Sequence, residues 1–197
     1  MSRRHRRPLP RRMQGVSLIE VLITMFVLLV GLLGVAAMSL ASQRASMESF
    51  QRHQALMLLD DMVSRINANR SVADCYALTD LDTGTPVIGL GSGTLAACSA
   101  GTVEAYTRAN ADLAQWDALL KGATVTDGGS NVGAMLGARG CVAKVADHEY
   151  LVTVVWQGLN TTAAPSAGVS CAQGLYGDET LRRAVSLPVR LADLTGA

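Results

Sequence analysis

Residues 15–43 read GVSLIEVLITMFVLLVGLLGVAAMSLASQ, and this stretch decides the architecture of the chain. From Val21 to Gln43 there are 23 residues without a charge, and as an α-helix they would span about 35 Å. The hydrocarbon core of a membrane is about 30 Å thick, so this run is long enough to cross it. One acid, Glu20, stands directly before the run.

The charges of the chain are distributed unevenly around this stretch. Six of the 17 Lys and Arg residues precede it, namely Arg3, Arg4, Arg6, Arg7, Arg11 and Arg12. From Val16 onward, 11 basic residues stand against 16 acidic ones, a net charge of −5. The positive-inside rule therefore predicts a cytoplasmic N-terminus and an exported body. An acidic body without a basic stripe argues against nucleic-acid binding, which depends on Lys and Arg neutralising phosphates.

Two ordinary interpretations of the apolar run remain open at this point. A cleaved signal peptide could end at Ser39-Leu40-Ala41, but its apolar core is usually about 7 to 15 residues, shorter than the run here. A plain uncleaved membrane anchor is the other interpretation, and the run is long enough for it.

The order of parts favours a third interpretation. A basic leader over residues 1–15 ends in Gly15, and Val16, Glu20 and an uninterrupted apolar helix follow. This order resembles the class III signal of type IV pilins and type II secretion pseudopilins. The resemblance implies that prepilin peptidase cuts after Gly15 and N-methylates Val16, where Phe or Met is commoner in the family. It also implies that Glu20, the fifth mature residue, helps the subunit to dock into a growing filament.

Elementary chemistry explains why these residue types are suited to these positions. Glycine has no Cβ, so a protease can approach the backbone at Gly15 closely. A carboxylate near the edge of the hydrocarbon is costly unless it is paired, and the Val16 ammonium of a neighbouring subunit could pair with Glu20. The alternative for Glu20 is an interfacial acid that is stabilised only by the dipole of its own helix.

The helical pattern continues beyond the apolar segment of residues 16–43. Over residues 44–70, four apolar positions recur at helical spacing, which predicts one buried face and a helix running from about Val16 to near Asn69. These four positions are Ala55, Leu59, Met62 and Ile66.

The remaining sequence predicts a small head. Residues 71–140 are rich in Gly, Thr, Ser and Ala and indicate an irregular region with one short helix at 110–121, capped by Asn110 and stopped by Gly122. Residues 141–197 alternate like strands, with a last strand interrupted by Pro188. The predicted fold is α+β and pilin-like: a long N-terminal helix, transmembrane and then amphipathic, packed on a small antiparallel β-sheet head.

The head also resembles one group of pilins. The segments DLAQWDALLKG, GCV, VTVVWQG and RRAVSLPVRL occur in this order between Asn110 and Leu194 and resemble the heads of PilV-type minor pilins. That resemblance implies a place in a type IV pilus together with other minor pilins, the major pilin and a tip adhesin.

Four cysteines, Cys75, Cys98, Cys141 and Cys171, all follow the apolar segment. In an oxidising compartment they should form two disulfides, and the sequence alone permits three pairings. We expect Cys75 to pair with Cys98, and Cys141 with Cys171. A zinc site is the alternative, but none of the spacings is C-x-x-C, and we expect no metal and no cofactor.

Catalysis is not expected. Beyond the leader the histidines are His53, on the predicted helix, and His148, which lies between Asp147 and Glu149 in a predicted hairpin turn. Adjacent turn residues point in different directions and do not form an acid-base site.

Together these features predict a minor pilin that is anchored in the bacterial inner membrane with a periplasmic head, is processed by prepilin peptidase, and then enters an extracellular pilus. The expected role is assembly priming or a place at the tip, in cell adhesion. The alternatives are a minor pseudopilin of type II secretion and a membrane-anchored periplasmic binding module that never polymerises.

Overall fold

The computed structural model describes residues 15–123, 125–131 and 133–192. The six leader arginines and the end of the expected β region, residues 193–197, lie outside the described residues. By its internal contacts the chain divides into two units, Met1–Arg44 and Ala45–Ala197.

Helix α1, Leu18–Ala68, contains 51 residues. It begins two residues later and ends one residue earlier than the sequence predicted. Every side chain from Leu18 to Arg44 is exposed. By length and composition, α1 can cross a membrane. The apolar run therefore forms the predicted helix. Its apolar side chains are not buried by the described chain, so they are available for contact with surroundings outside it.

The part of α1 within the second unit is amphipathic. Its buried side chains are the four that the helical spacing predicted: Ala55, Leu59, Met62 and Ile66. They share one core cluster with the ring of Trp116 and with sheet residues such as Val152 and Val154. The helix is held to the sheet by burial of this face, which removes apolar surface from water.

Helix α2, Val103–Leu120, corrects the prediction of a helix at 110–121. It starts seven residues earlier because Thr102 caps it, accepting a hydrogen bond from the Ala105 backbone N–H at 3.3 Å. Asn110 is not the cap. Its side chain accepts from the Cys98 N–H at 2.9 Å and donates to the Cys98 C=O at 3.0 Å, which pins the preceding loop to the helix.

The sheet of the head has four strands in the order β1-β4-β5-β6: β1 Ile88–Gly89, β4 Arg139–Ala146, β5 Glu149–Gln157 and β6 Arg182–Arg190. All neighbouring strands are antiparallel. A separate hairpin joins β2, Thr126–Asp127, to β3, Ser130–Asn131. Two 3₁₀ helices, Arg70–Tyr76 and Glu179–Leu181, complete the regular elements of the described residues. A long helix on a four-stranded antiparallel sheet is the predicted α+β, pilin-like architecture.

The region boundaries differ in two places. The region predicted to be irregular, 71–140, contributes the edge strand β1, the separate β2–β3 hairpin and the first two residues of β4. The region predicted to be sheet, 141–197, contains a long segment from Gly158 to Asp178 without a strand. This segment covers the second face of the sheet, where Cys171 and Ala172 are buried with Val155. Strand β5 is therefore buried on both faces, which explains its nearly continuous apolar sequence.

Strand β6 runs through Pro188, although the sequence predicted an interruption there. Just past the strand, the Leu191 N–H donates to the His148 C=O at 2.8 Å. Backbone N–H groups alternate in direction along an antiparallel strand. Pro188 lies three residues before Leu191, so its backbone nitrogen faces away from β5, toward the outer edge of the sheet. A missing N–H costs no ladder hydrogen bond at an open edge, so the proline is tolerated.

Two disulfides cross-link segments within the head. Cys75 is bonded to Cys98 and Cys141 to Cys171, the same pairs that we expected from the sequence. The first closes a loop of 23 residues and the second a loop of 30 residues. In the chain-entropy model, loops of this size each contribute roughly 3 to 4 kcal/mol of stability.

A non-reducing tryptic digest should confirm this pairing in the native protein. Cys75 and Cys98 lie in one tryptic peptide, residues 71–108, whereas Cys141 and Cys171 lie in the two consecutive peptides 140–144 and 145–182. We expect the first peptide to run alone with an internal disulfide and the other two to run as a linked pair. Either alternative pairing would instead join all three peptides into one species.

Gly140 is a tightly packed position in the core. A Cβ built there would lie 2.2 Å from Cη2 and 2.4 Å from Cζ3 of the Trp116 ring. That ring is fully buried, and its Nε1 donates to the Leu58 C=O at 2.8 Å. Gly140→Ala should therefore destabilise the head by about 1 to 3 kcal/mol through overpacking.

Thermal unfolding of the detergent-solubilised chain, followed by circular dichroism, measures this effect. The control is Gly93→Ala, because a Cβ at Gly93 meets nothing within 4 Å. An equal melting temperature for the two variants would show that the contact of Gly140 with Trp116 is not tight.

Candidate functional site

The candidate site is the short segment at the start of α1. Gly15, Val16 and Ser17 precede the helix in a non-helical conformation, and all three are exposed. The Ser17 C=O accepts the Glu20 N–H at 3.0 Å and the Val21 N–H at 3.3 Å, which starts the helix. The peptide bond between Gly15 and Val16 therefore lies outside regular structure, on backbone that a protease can reach.

Gly15 has no packing role within the described chain. A Cβ built at this position meets nothing within 4 Å, so the fold itself tolerates a larger residue there. The fold of the described residues therefore gives no reason for a glycine at this position. A residue without a Cβ leaves the backbone open to close approach by another molecule.

Glu20 lies in the first turn of α1, with an exposed side chain. The helix dipole favours a negative charge at this end by about 0.3 to 1 kcal/mol. Its carboxylate forms neither an ion pair nor a side-chain hydrogen bond with any described residue. If this end of the helix entered an apolar environment, the carboxylate would need a cation from another molecule.

The helix around this acid is covered with exposed apolar side chains. Leu18 is 78% exposed and Phe26 is 68% exposed, and similar values continue to Leu40. A contiguous apolar surface of this kind marks an interaction with lipid or with another protein. The candidate site is thus an exposed non-helical segment followed by a carboxylate on an apolar helix.

Polar contacts in the head connect its elements. The Arg65 guanidinium of α1 lies 2.8 Å from both the Asp61 and the Asp112 carboxylates, and Asp112 belongs to α2. The Tyr76 hydroxyl donates to Asp112 at 2.6 Å. Burial, together with this carboxylate, raises the pKa of the Tyr76 hydroxyl, which therefore stays protonated. This network fixes α1 to α2 and has a structural role.

The three turn residues that could imitate an acid-base cluster are held apart. Asp147 pairs with Lys144 at 3.3 Å, Glu149 pairs with Arg190, and His148 occupies the turn with a positive φ of 60°.

The nearby Asp74 carboxyl has a lowered pKa, mainly because the Tyr150 hydroxyl donates a hydrogen bond to it and, to a smaller extent, because of the Lys144 ammonium. Such a carboxylate remains ionised and is a poor general base.

Metal ligands are not assembled in the described residues. In residues 15–123, 125–131 and 133–192, no three His, Cys, Asp or Glu side chains come together in a way that could hold an ion. All four cysteines of that part of the chain are bonded to one another.

The comparisons with known proteins bear on the same segment. Residues 10–36 match the family model described as the prokaryotic N-terminal methylation motif, which spans Gly15, Val16 and Glu20. No curated protein and no solved structure matches the chain. The motif indicates a type IV pilin or pseudopilin that is a substrate of prepilin peptidase. Membrane anchoring before assembly fits the apolar helix, and the motif implies incorporation into a pilus or pseudopilus.

The structure brings Gly15, Val16 and Glu20 together at one helix end and places the four cysteines in the head. Sequence reasoning missed Thr102 as a cap and Asp112 as the link between the helices. Thr102 was a readable signal, because threonine is a preferred N-cap residue directly before a helix. Asp112 gave no local signal, since its partners lie 36 and 47 residues away.

Proposed function

We propose that this chain is a PilV-type minor pilin of a type IV pilus. After cleavage behind Gly15, the new Val16 amine is methylated, and the subunit leaves the inner membrane for the filament. The observation that carries this proposal is the match of residues 10–36 to the methylation motif, which includes a carboxylate, Glu20, that has no partner among the described residues.

The pairing chemistry explains why this carboxylate lies where it does. A free ammonium at Val16 and the carboxylate of Glu20 are four residues apart in the mature chain, about one helical turn. A subunit shifted along the filament axis places its Val16 ammonium against its neighbour's Glu20. In a low-dielectric bundle, a single charge pair of this kind penalises any other axial register.

The proposed partners follow from this role. Before assembly the head lies in the periplasm and the leader in the cytoplasm, as the six leader arginines favour. In the filament the partners are the major pilin and other minor pilins, with a tip adhesin above them, and the subunit primes assembly or sits at the tip. The proposed role is structural and not enzymatic.

A pseudopilin of type II secretion is the second candidate, because the methylation motif is shared by both systems. The resemblance of the head segments to PilV-type minor pilins favours the pilus.

Fractionation tests the proposal. Pili are sheared from intact cells and probed with an antibody against the head, in the wild type and in a strain that lacks the pilus assembly ATPase. We expect the chain in the sheared pili of the first strain and only in membranes of the second. A chain that stays in the membrane of piliated wild-type cells would contradict the pilus role and favour a pseudopilin or a membrane-anchored binding module.

A further inference from the structure

The side chain of Arg139, the first residue of β4, is held in a fixed position at the surface of the head. Its guanidinium stacks on the Tyr176 ring, with Cζ 4.6 Å from the ring centroid. Its Nε donates to the Leu90 C=O at 2.9 Å, and its Nη1 donates to the Gly137 C=O at 3.3 Å. The Tyr176 hydroxyl donates to the same Gly137 C=O at 2.7 Å. The aromatic ring and the two carbonyls therefore orient the cation before any partner binds.

Arg139 has no counter-ion within the part of the chain that the structure describes. The ion pairs of the described residues do not include it. Two acids of the neighbouring elements have their own cations: the Glu179 carboxylate lies 2.6 Å from Arg182, and the Asp117 carboxylate lies 2.6 Å from Lys121. The guanidinium of Arg139 is thus positioned by neutral groups and keeps its full charge for a carboxylate from another molecule.

Three exposed leucines lie beside this cation. Leu90 and Leu136 are each 50% exposed, and Leu175 is 45% exposed. Leu90 supplies a carbonyl to the guanidinium of Arg139. The other two leucines each directly precede a residue that contacts this guanidinium. Arginine and tyrosine next to apolar side chains are typical of the residues that dominate binding in protein interfaces. These residues form the Arg139 patch, which consists of Leu90, Leu136, Arg139, Leu175 and Tyr176.

From this arrangement we propose that the Arg139 patch binds a protein segment that presents one carboxylate between apolar side chains. The apolar side chains of the partner cover the leucines, and the carboxylate pairs with the guanidinium. From Val16 onward the chain has a net charge of −5, so its surface as a whole repels an acidic partner. A cation without a counter-ion inside an apolar surface therefore selects both the partner and the point at which it binds. Because the cation is already oriented, little side-chain entropy is lost on binding.

Photocross-linking in the native bacterium tests the proposal. p-Benzoylphenylalanine replaces Leu175 in the full-length chain, and the same replacement of Leu187, which is 41% exposed on the edge strand β6, is the control. We expect the Leu175 position to cross-link a protein, with mass spectrometry locating the bond in a peptide that carries an acidic residue between apolar ones. The Leu187 position should not give this product. Arg139→Glu should lower the yield at least about tenfold, because two carboxylates would then face each other.

A reciprocal charge exchange makes the result specific. Changing the acidic residue of the cross-linked peptide to arginine should restore the yield in the Arg139→Glu chain and lower it in the wild type. Leu136→Glu is the second variant, because this position is exposed and the new acid would face the partner's carboxylate without disturbing the core. It should also lower the yield. Thermal unfolding of both variants, followed by circular dichroism, verifies that each is folded.

The proposal would be overturned by a cross-link to lipid, by a peptide without an acidic residue, by no cross-link at Leu175, or by an unchanged yield in Arg139→Glu. The inference deepens the proposed function and rests on it only for the export of the head to a place where other proteins are met. The two fail separately, because the pilus role is measured on sheared pili, whereas the cross-link is measured on whole cells.

Discussion

Replacing Gly15 with valine should leave the uncut precursor in the inner membrane. Gly15 has open space around it, so the substitution does not disturb the fold of the described chain. In the proposed peptidase complex, a branched side chain would stand between the enzyme and the scissile bond after Gly15. A displacement of about 1 Å at a reacting centre costs roughly 100-fold in rate, so we expect almost no mature protein.

Gly31→Val is the matched control for this experiment. Gly31 lies within α1, also has nothing within 4 Å of an added Cβ, and is 16 residues from Gly15. Intact mass of both variants from membrane fractions gives the ratio of precursor to mature chain. Normal processing of Gly15→Val would remove the basis for assigning the cut to this position.

The second prediction with a large expected effect concerns Glu20 and distinguishes cleavage from assembly. We expect Glu20→Leu to be cut normally, because the peptidase contacts lie at Gly15 and the leader, and to enter pili poorly. Without the Glu20 carboxylate, the incoming Val16 ammonium would lie in apolar surroundings unpaired, which costs several kcal/mol. Each 1.4 kcal/mol corresponds to a factor of ten, so incorporation should fall at least about tenfold.

Two further variants make this result specific. Glu20→Asp keeps the charge on a shorter side chain and should give intermediate incorporation. Glu104→Leu removes the corresponding first-turn acid from α2, which lies exposed on the head, and should leave incorporation unchanged. The amount of each variant in sheared pili is compared with that in membranes. Wild-type incorporation of Glu20→Leu would reduce Glu20 to an interfacial acid that is stabilised only by its own helix.

The long helix could be predicted in detail because its signals are local and repeated. An uncharged run of membrane length and the spacing of Ala55, Leu59, Met62 and Ile66 gave its extent and its buried face. The β4–β5 hairpin was predictable for the same reason, since two alternating segments flank the polar turn at Asp147 and His148.

Other features depend on contacts that the sequence does not display. Pro188 predicts a break in β6, and only the position of β6 at the edge of the sheet, with the proline facing outward, makes it harmless. Asn110 resembles a helix cap by composition, but the loop at Cys98 engages its side chain. The strand β1 has two residues, too few for a periodic signal.

The candidate site could be proposed from the sequence alone because it does not depend on tertiary structure. Gly15, Val16 and Glu20 lie within six consecutive residues, and in the proposed function outside molecules recognise them: a peptidase and a neighbouring subunit. What the structure adds is that no described residue of the chain itself satisfies the Glu20 carboxylate or packs against Gly15.

The N-terminal residue of the mature chain tests the central claim most directly. The protein is purified from membranes and from sheared pili, and its first tryptic peptide is sequenced by mass spectrometry. We predict that the mature chain begins at Val16 and carries one methyl group on its α-amine. A chain that begins at Ser42, or one that retains Met1 and the arginine leader, would contradict the account.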